Sequence, residues 1–292
     1  MAEEKLTKAG KLRKMLNGGG LIKAPGAYDV WSAKLVEEAG FDAVYMTGYG
    51  VSASVLGKPD IGIMTFSEVA AMARNMARAL NIPLIADCDT GFGTSLNVIR
   101  CVREFEEAGV AAIQFEDQVM PKRCGHMEGK ELIPKEDMVQ KLKAAVYARK
   151  DPDFVIIART DARAVNGMDD AIERANAYVE AGADVIFLEA PREKEEIIRA
   201  AKEIKAPLLS NMVENGKTPL MTMDELSELG YQIVIYPVTT IYTVTKAILD
   251  NLAILKETGG IADCMEYSVG FPDFNRMIGL AEERALEKSF ME

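Results

Sequence analysis

Short apolar runs alternate with longer amphipathic segments along most of the chain. Eight runs of four to six mostly apolar residues have the composition of strands that are buried on both faces of a parallel sheet. These predicted strands are Leu21–Ala24, Ala43–Met46, Pro83–Ala86, Val110–Phe115, Phe154–Ala158, Val185–Leu188, Pro207–Ser210 and Ile233–Tyr236. Helical spacing predicts helices over 6–16, 31–38, 67–80, 96–107, 135–149, 169–180, 195–204 and 224–229, with another after the eighth strand to about Lys256.

The repetition of strand and helix predicts the fold class. Eight such units in about 250 residues favour an α/β fold of the (β/α)8 barrel type over an open doubly wound sheet. Residues 1–292 are therefore interpreted as a single barrel domain, with 259–292 as a C-terminal helical extension. The extension has an apolar stripe in a helix from about Asn275, which either packs on its own barrel or reaches a neighbouring subunit. We favour the second interpretation.

Polar residues stand where the predicted strands end. Since the carboxyl ends of barrel strands meet at one mouth, which holds the active site in such enzymes, these residues are expected to lie together. They are Thr47, Gly48, Asp87, Asp89, Glu116, Arg159, Glu189, Asn211 and Thr239.

The carboxylates of this set suggest a metal site. Asp87 and Asp89 alternate along the chain, so in an extended strand they would point to the same side. Together with Glu116 and Glu189 they suit a hard cation such as Mg²⁺, which binds oxygen ligands. The alternative is that they pair with Arg159 and Lys122, but four acids exceed two bases, so we favour Mg²⁺.

Two further features suggest an anionic substrate. The segment Thr47-Gly48-Tyr49-Gly50 offers main-chain N–H groups to a carboxylate or phosphate, and Arg159 is a natural bidentate partner for a carboxylate. With a metal ion they suggest a small 2-oxo or 2-hydroxy acid that passes through an enolate.

The segment Glu116–His126 concentrates reactive groups, including Cys124 and the chain's only histidine. Buried inert cysteines usually lie among apolar residues, whereas Cys124 stands near Lys122, Arg123 and His126. Such a setting is expected to lower the pKa of the thiol and make it an acid, a base or a nucleophile.

The bulk composition excludes several classes of function. The 292 residues carry a formal net charge of −11, which argues against nucleic acid and anionic membrane surfaces as partners. The four cysteines show neither a CxxC pair nor a framework spacing, so a disulfide scaffold or structural zinc is not expected. A charged N-terminus without an apolar core and the lack of a long apolar run predict a cytoplasmic protein without a membrane span.

Three motifs resemble those of the isocitrate lyase / phosphoenolpyruvate mutase superfamily. Residues 87–91 resemble its DxDTG metal motif, 116–118 its EDQ motif, and 122–126 its K-[KR]-C-G-H motif. The likeness runs in the same order from about Gly20 to Thr240. It implies a (β/α)8 barrel, Mg²⁺ with Mn²⁺ as a substitute, and a homotetramer that exchanges C-terminal helices.

The resemblance also implies roles for individual residues. Asp89 would contact the metal directly, whereas Asp87, Glu116 and Asp60 would reach it through water. Cys124 would protonate the enolate, in a mobile gate formed by residues 122–126. The catalytic set would then be Cys124, Tyr45, Lys122, His126 and Glu116, and the substrate contacts would be Thr47, Gly48, Tyr49, Gly125, Arg159, Glu189, Asn211, Pro237 and Thr239.

The choice among the superfamily's reactions depends on two positions. The Cys-Gly-His gate is similar to that of the short lyases of the superfamily. In the 2-methylisocitrate lyases among them an arginine usually follows this sequence, whereas here that position is Met127. Val213 likewise replaces a threonine. Both changes favour a smaller substrate, such as the 2-alkylmalate 2,3-dimethylmalate, cleaved to pyruvate and propionate.

Alternatives are a 2-methylisocitrate lyase, an oxaloacetate hydrolase and a C–P bond enzyme. A non-catalytic binding protein ranks last. The base that removes the hydroxyl proton stays open between Tyr45 and a metal-bound water.

Overall fold

Eight parallel strands close into a barrel in the computed structural model, which describes residues 6–291. Each strand pairs with the next along the chain, and the first pairs with the last. The predicted (β/α)8 barrel is therefore confirmed. The strands are β1 (Ile22–Ala27), β2 (Val44–Met46), β3 (Leu84–Asp87), β4 (Ala112–Glu116), β5 (Val155–Thr160), β6 (Val185–Leu188), β7 (Leu208–Asn211) and β8 (Ile233–Tyr236).

Helices follow the strands, and several begin at a capping side chain. Thr65 and Glu68, for example, form a reciprocal capping box that satisfies main-chain N–H groups at the start of α4. The helices are α1 (Lys8–Asn17), α2 (Val30–Glu38), α3 (Gly48–Leu56), α4 (Phe66–Ala79), α5 (Ser95–Glu107), α6 (Lys135–Ala148), α7 (Ala162–Val165), α8 (Met168–Glu180), α9 (Lys194–Glu203), α10 (Met223–Glu228), α11 (Thr239–Thr258), α12 (Phe271–Met277) and α13 (Leu280–Ser289), with a 3-10 helix at Ala262–Tyr267.

The strands are buried on both faces, which explains their nearly continuous apolar sequences. One cluster of buried side chains includes Ile85, Ile157, Phe187 and Ile233. A second and larger cluster joins strand residues to the apolar faces of the helices. This double burial makes the barrel a rigid support for the side chains at its carboxyl-terminal mouth.

The structure corrects three local predictions. β1 continues through Pro25, which pairs with Tyr236, so the proline does not end the strand. The segment after β2 was expected to be a loop, but Thr47 caps helix α3 by accepting a hydrogen bond from the N–H of Gly50. The short helix α7 was not predicted.

The chain divides into two compact units, one up to Ile241 and one from Tyr242 onward. The second unit contains α12, which begins at Phe271, whereas the sequence predicted a helix from about Asn275. The extent of the single domain and of its extension from residue 259 stays a prediction. None of the helices within residues 6–291 is long and apolar enough to cross a membrane.

Candidate active site at the barrel mouth

The DxD segment at the end of β3 leaves the extended conformation before its second aspartate. Asp89 has a φ of 46°, so the expectation that Asp87 and Asp89 alternate along a continuing strand was wrong. Both side chains are nevertheless buried. The Oδ1 atom of Asp87 accepts a hydrogen bond from the N–H of Asp89 at 3.0 Å, which couples the two positions.

Lys122 joins this segment to a second loop. Its Nζ lies 2.6 Å from Oδ1 of Asp60 and 2.7 Å from Oδ1 of Asp89, and its side chain is 2% exposed. Burial lowers the pKa of this lysine, but the surrounding carboxylates, with Asp89 and Glu116 foremost, raise it well above its usual value. Lys122 is therefore a fully charged ammonium inside an acidic cluster.

The cluster remains short of positive charge. Burial is the main cause that raises the pKa of Asp87 to about 6, with Lys122 opposing and Asp89 adding to the shift. Burial also raises the pKa of Glu116 well above its usual value, against the effect of Arg159. The Oε2 atom of Glu116 has no hydrogen-bond partner among the described residues. Buried oxygen donors in excess of their cations are the donor set that a hard divalent ion prefers.

The same carboxylates do not form a closed metal cage. Within residues 6–291, no group of three or more His, Cys, Asp or Glu side chains is arranged to hold a metal ion. Mg²⁺ takes one or two protein carboxylates and keeps several waters, so an open cluster of this kind fits it.

Arg159 forms the centre of a second charged group. It lies opposite Glu116 in the β4–β5 register, and its Nη1 is 3.3 Å from that carboxylate and 3.5 Å from Glu189. Its Nε donates to Asp161 at 2.9 Å, and its guanidinium lies over the ring of Phe187. Three carboxylates and an aromatic face thus hold the guanidinium at the mouth.

The predicted anion-binding segment forms the first turn of α3. The N–H of Gly48 points to Oδ2 of Asp87 at 3.3 Å, and a Cβ atom at Gly48 would lie 2.6 Å from that oxygen. Glycine is required for this approach. Thr47, which is buried, and Tyr49, which is half-buried, flank Gly48 in the chain.

Residues 120–131, here called the gate segment, lie against the mouth. Gln118 accepts a hydrogen bond from the N–H of Arg123 at 2.9 Å and donates to its carbonyl oxygen at 2.8 Å. Lys130 is buried and donates to Asp161 at 2.9 Å and to the carbonyl oxygen of Gly125. These bonds connect the gate segment to the guanidinium cluster at both ends.

Gly125 makes the closest approach of the gate segment to the barrel. A Cβ atom there would lie 2.5 Å from Nη2 of Arg159 and 2.5 Å from Cδ of Glu189. The glycine in the Cys-Gly-His sequence therefore allows the main chain to rest on the two side chains predicted to contact substrate.

The pKa of Cys124 departs from the expectation. Burial raises it to about 11, although a hydrogen bond from the main-chain N–H of His126 opposes the shift. The neighbouring cations do not act on the sulfur, since Lys122 pairs with Asp60 and Asp89 while Arg123 donates to the carbonyl oxygen of Glu128. The predicted lowering of this pKa was wrong, and Cys124 is a protonated thiol at neutral pH.

Tyr45 lies inside the barrel below the carboxylates. Its hydroxyl donates to Oε1 of Gln114 at 2.6 Å, and burial together with Asp87 raises its pKa well above the usual value. A phenol of this kind holds its proton tightly. The geometry therefore argues against Tyr45 as the base.

The remaining predicted contacts come from β7, β8 and the gate segment. Asn211 Nδ2 donates to Glu189 at 3.3 Å, while its Oδ1 has no hydrogen-bond partner among the described residues. His126 Nε2 lies 3.3 Å from Oε1 of Glu189. Thr239 donates its hydroxyl proton to Glu214, and Pro237, two residues before Thr239, is buried.

Sequence reasoning missed several residues of the site. Asp161, Lys130, Gln114 and Gln118 are all buried and hydrogen-bonded to predicted site residues. Asp161 follows Arg159 at the end of β5, so its position was a usable signal. The partners of Lys130 and Gln114 come from distant parts of the chain, and no local pattern indicates them.

Comparison with known proteins places the chain among carboxylate-processing enzymes. It is 52% identical to 2,3-dimethylmalate lyase of Eubacterium barkeri over 97% of this chain and 98% of the relative. It is also 48% identical to 2-methylisocitrate lyase of Aeropyrum pernix, over 92% of this chain and 86% of the relative.

Solved structures show the same fold. A crystal structure of 2,3-dimethylmalate lyase, described as a PEP mutase/isocitrate lyase superfamily member, matches with a TM-score of 0.93 and 37% identity over 98% of this chain and 96% of the other. Phosphonopyruvate hydrolase in complex with oxalate and Mg²⁺ matches with a TM-score of 0.90 and 34% identity over 98% and 100%. The sequence profile described as phosphoenolpyruvate phosphomutase matches residues 12–255. The chain belongs to the phosphoenolpyruvate phosphomutase family, within the superfamily that its three motifs resemble.

Proposed function

We propose that this protein is a carbon–carbon lyase that cleaves a 2-alkylmalate such as 2,3-dimethylmalate into pyruvate and propionate. The observation that carries the proposal is the placement of the Cys124 thiol on a segment that rests, through Gly125, on Arg159 and Glu189 of an acidic mouth. Such a thiol can supply a proton to carbon. The 52% identity to a 2,3-dimethylmalate lyase supports the same reaction.

The reaction begins with binding of the two carboxylates and loss of the hydroxyl proton. Arg159 would bind carboxylate oxygens, because it offers a guanidinium at the mouth. In the first turn of α3 the N–H of Gly48 donates to Asp87, and it would exchange this acceptor for a second carboxylate oxygen when substrate binds. Among the protein groups, Glu116 is better suited than Tyr45 to accept the hydroxyl proton. Its Oε2 lies 3.3 Å from Nη1 of Arg159 and makes no hydrogen bond in the described part of the chain, whereas Tyr45 holds its proton tightly.

Cleavage then follows from the alkoxide. The carbonyl of pyruvate forms as the bond between C2 and C3 breaks, and the electron pair moves to the enolate of the leaving acid. Cys124 donates its thiol proton to this carbon and gives propionate, and the thiolate takes a proton back before the next cycle. The raised pKa of the thiol fits this role, since a group that donates must be protonated beforehand.

A divalent metal ion fits the acidic cluster of Asp60, Asp87, Asp89 and Glu116. A bound Mg²⁺ would supply positive charge that stabilises the alkoxide and the pyruvate oxygens. Asp89 is the proposed direct ligand, and the other three would hold waters of the ion. The Mg²⁺ in the related phosphonopyruvate hydrolase structure supports the choice of ion, and Mn²⁺ is the expected substitute.

The identity of the substrate rests on the apolar residues near His126. Val213 is buried, and a Cβ atom at Gly216 would lie 2.9 Å from its Cβ and 2.8 Å from His126 Cε1, so Val213 lies close to the gate segment. Met127 N–H donates to the carbonyl oxygen of Cys124 at 2.8 Å. Neither side chain offers a donor for a third carboxylate. We therefore favour a 2-alkylmalate over 2-methylisocitrate, the substrate named for the 48% identical relative.

We also propose that the active form is a homotetramer that exchanges C-terminal helices. The helices of the second unit expose large apolar side chains, including Ile248, Leu249, Leu252 and Phe271. Exposed apolar area of this extent on a monomer indicates a surface that is covered by another molecule.

The test is mass-spectrometric identification of the products that purified protein forms with Mg²⁺ and, in separate reactions, with 2,3-dimethylmalate, 2-methylisocitrate, oxaloacetate and phosphonopyruvate. A lyase releases pyruvate from the first two substrates, whereas hydrolysis of oxaloacetate gives oxalate and acetate. Pyruvate from the first substrate at the highest kcat/KM is the expected result. A preference for 2-methylisocitrate would overturn the argument from Met127 and Val213. Activity confined to oxaloacetate or phosphonopyruvate would overturn the proposed lyase reaction.

A further inference from the structure

The gate segment is fastened on one side by Lys122 and on the other by a turn whose contact with the ring of His126 has no part in the proposed mechanism. This turn spans Val213–Gly216, where the N–H of Gly216 donates to the carbonyl oxygen of Val213 at 3.0 Å and Asn215 has a φ of 56°. The turn directs the N–H of the next residue, Lys217, toward the ring of His126. We call residues 213–217 the docking turn.

The contact defines where the imidazole proton lies. The N–H of Lys217 donates to Nδ1 of His126 at 3.0 Å. A ring nitrogen that accepts a hydrogen bond carries no proton, so a neutral ring must carry its proton on Nε2. That nitrogen lies 3.3 Å from Oε1 of Glu189, but its direction leaves it without a well-aligned hydrogen bond in the described part of the chain. The buried Nε2–H therefore faces the carboxylate of Glu189 at the mouth.

The close approach depends on the lack of a side chain at Gly216. A Cβ atom there would lie 2.8 Å from Cε1 and 2.9 Å from Nδ1 of His126. The same Cβ atom would lie 2.9 Å from Cβ of Val213. Gly216 is not among the residues with positive φ, so alanine suits its main-chain conformation and would act through its contacts with His126 and Val213. A methyl group at this position would push the ring away from the docking turn.

The docked histidine also orients the thiol. Its main-chain N–H hydrogen-bonds to the sulfur of Cys124, and the N–H of Met127 closes the turn on the carbonyl oxygen of Cys124 at 2.8 Å. A second tie links the same loops, since Lys217 Nζ lies 2.5 Å from Oε1 of Glu128. Glu128 is 77% exposed, so this ion pair contributes little, and the main-chain bond carries the contact.

We propose that Gly216 and the main-chain N–H of Lys217 are positioning elements that dock His126 as the Nε2–H tautomer and thereby hold Cys124 and the gate segment over the mouth. The proposal deepens the lyase function and rests on it for the role of the thiol. The tautomer and the docking, however, are properties of the protein that can be measured without substrate.

The single histidine makes the tautomer directly measurable. In the full-length protein labelled with ¹⁵N-histidine, long-range ¹H–¹⁵N NMR at a pH where the ring is neutral should show a protonated Nε2 and an unprotonated, hydrogen-bonded Nδ1. A predominant Nδ1–H form in the wild-type protein would overturn the proposal, and this measurement requires no variant.

Variants then separate the effect of the main chain of the docking turn from that of the Lys217 side chain. Gly216→Ala should shift the imidazole signals and increase trypsin cleavage after Lys122 or Arg123 by about fivefold or more, because proteolysis follows the population of the open segment. Lys217→Ala removes the ion pair but keeps the N–H, so its tautomer should match the wild type. Gly20→Ala is the matched control, since a Cβ atom at Gly20 meets nothing within 4 Å.

Kinetics add a third readout. Gly216→Ala should lower kcat by about 10- to 100-fold through misplacement of the thiol, with a smaller change in KM and an unchanged melting temperature. Unchanged histidine signals and unchanged cleavage in Gly216→Ala would overturn the proposal, as would a tautomer shift in Lys217→Ala. Should none of the four substrates react, the proposed function fails, while the NMR and proteolysis results still decide the docking.

Discussion

Cys124 shows how a residue's sequence neighbours can mislead about its chemistry. The sequence places it two residues from Lys122 and next to Arg123, which suggests an electropositive site. In the folded chain both cations turn to other acceptors, and burial dominates the pKa of the thiol. The type of residue and its location could be predicted from the sequence. Its protonation state could not, because that depends on side-chain directions set by distant partners.

Replacement of this thiol tests its proposed role. Cys124→Ser removes the acid that protonates carbon, so turnover of 2,3-dimethylmalate should fall by about 100-fold or more, the contribution typical of general acid catalysis. The melting temperature should change little, because the two side chains are nearly the same size. Cys264→Ser, at a half-buried cysteine in the second unit, is the control. Wild-type turnover in Cys124→Ser would exclude the proposed role.

Metal removal tests the acidic cluster. Dialysis against EDTA should abolish pyruvate release, and added Mg²⁺ or Mn²⁺ should restore it, because the buried carboxylates exceed their cations. Asp89→Asn should raise the Mg²⁺ concentration needed for half-maximal activity by at least about tenfold, since it removes the proposed direct ligand. Asp42→Asn is the matched control. Asp42 precedes β2 and therefore lies at the end of that strand opposite the mouth. Full activity in EDTA would contradict a metal-dependent reaction.

At the scale of elements, the barrel strands were predictable and the irregular segments were not. Strands buried on both faces must be apolar throughout, so residues such as 185–188 stand out against their polar flanks. Helix α3 was missed because its two glycines resemble a turn, whereas the Thr47 cap and tertiary contacts override that preference. Pro25 lies in β1 for the same reason: its pairing with Tyr236 of β8 outweighs the low preference of proline for strands.

A buried polar network connects β4, β5 and α8, and its main acceptor is Asp117. Its Oδ2 accepts from Thr160 and Tyr178, each at 2.8 Å, and lies 3.3 Å from Nη1 of Arg174. Asp117→Ala would leave these donors and a buried guanidinium without their acceptor. The free energy of unfolding in urea should then fall by about 3–5 kcal/mol.

The same arginine supplies the control for that prediction. Asp170 is its other partner, at 2.9 Å from Nε, but this carboxylate is 31% exposed. Asp170→Ala should therefore lower the free energy of unfolding by at most about 1 kcal/mol. Equal losses in the two variants would show that burial of the acceptor does not decide the stability of this network.

At the scale of the whole molecule, the sequence specifies the chemistry more sharply than the assembly. Three short motifs carry the family likeness because two of them place reactive groups at strand ends and the third places them in the gate segment. The C-terminal unit carries no such motif, and its amphipathic pattern is compatible with several partners. Its role in assembly is therefore inferred from the apolar surface that it exposes and not from a sequence motif.

The exposed apolar side chains of α11 test the proposed tetramer. Leu249 and Leu252 are 60% and 54% exposed, so a surface that contains them is stabilised by removal from water. Light scattering coupled to size-exclusion chromatography should give four times the 31.9 kDa chain mass for the wild type. Leu249→Glu and Leu252→Glu together should shift the mass to a smaller species, because two charges would be buried at the contact. Leu220→Glu, at a leucine that is 61% exposed outside this unit, should leave the mass unchanged. A wild-type mass equal to one chain would exclude the exchange of helices, and a tetramer that survives both charges would place its contacts elsewhere.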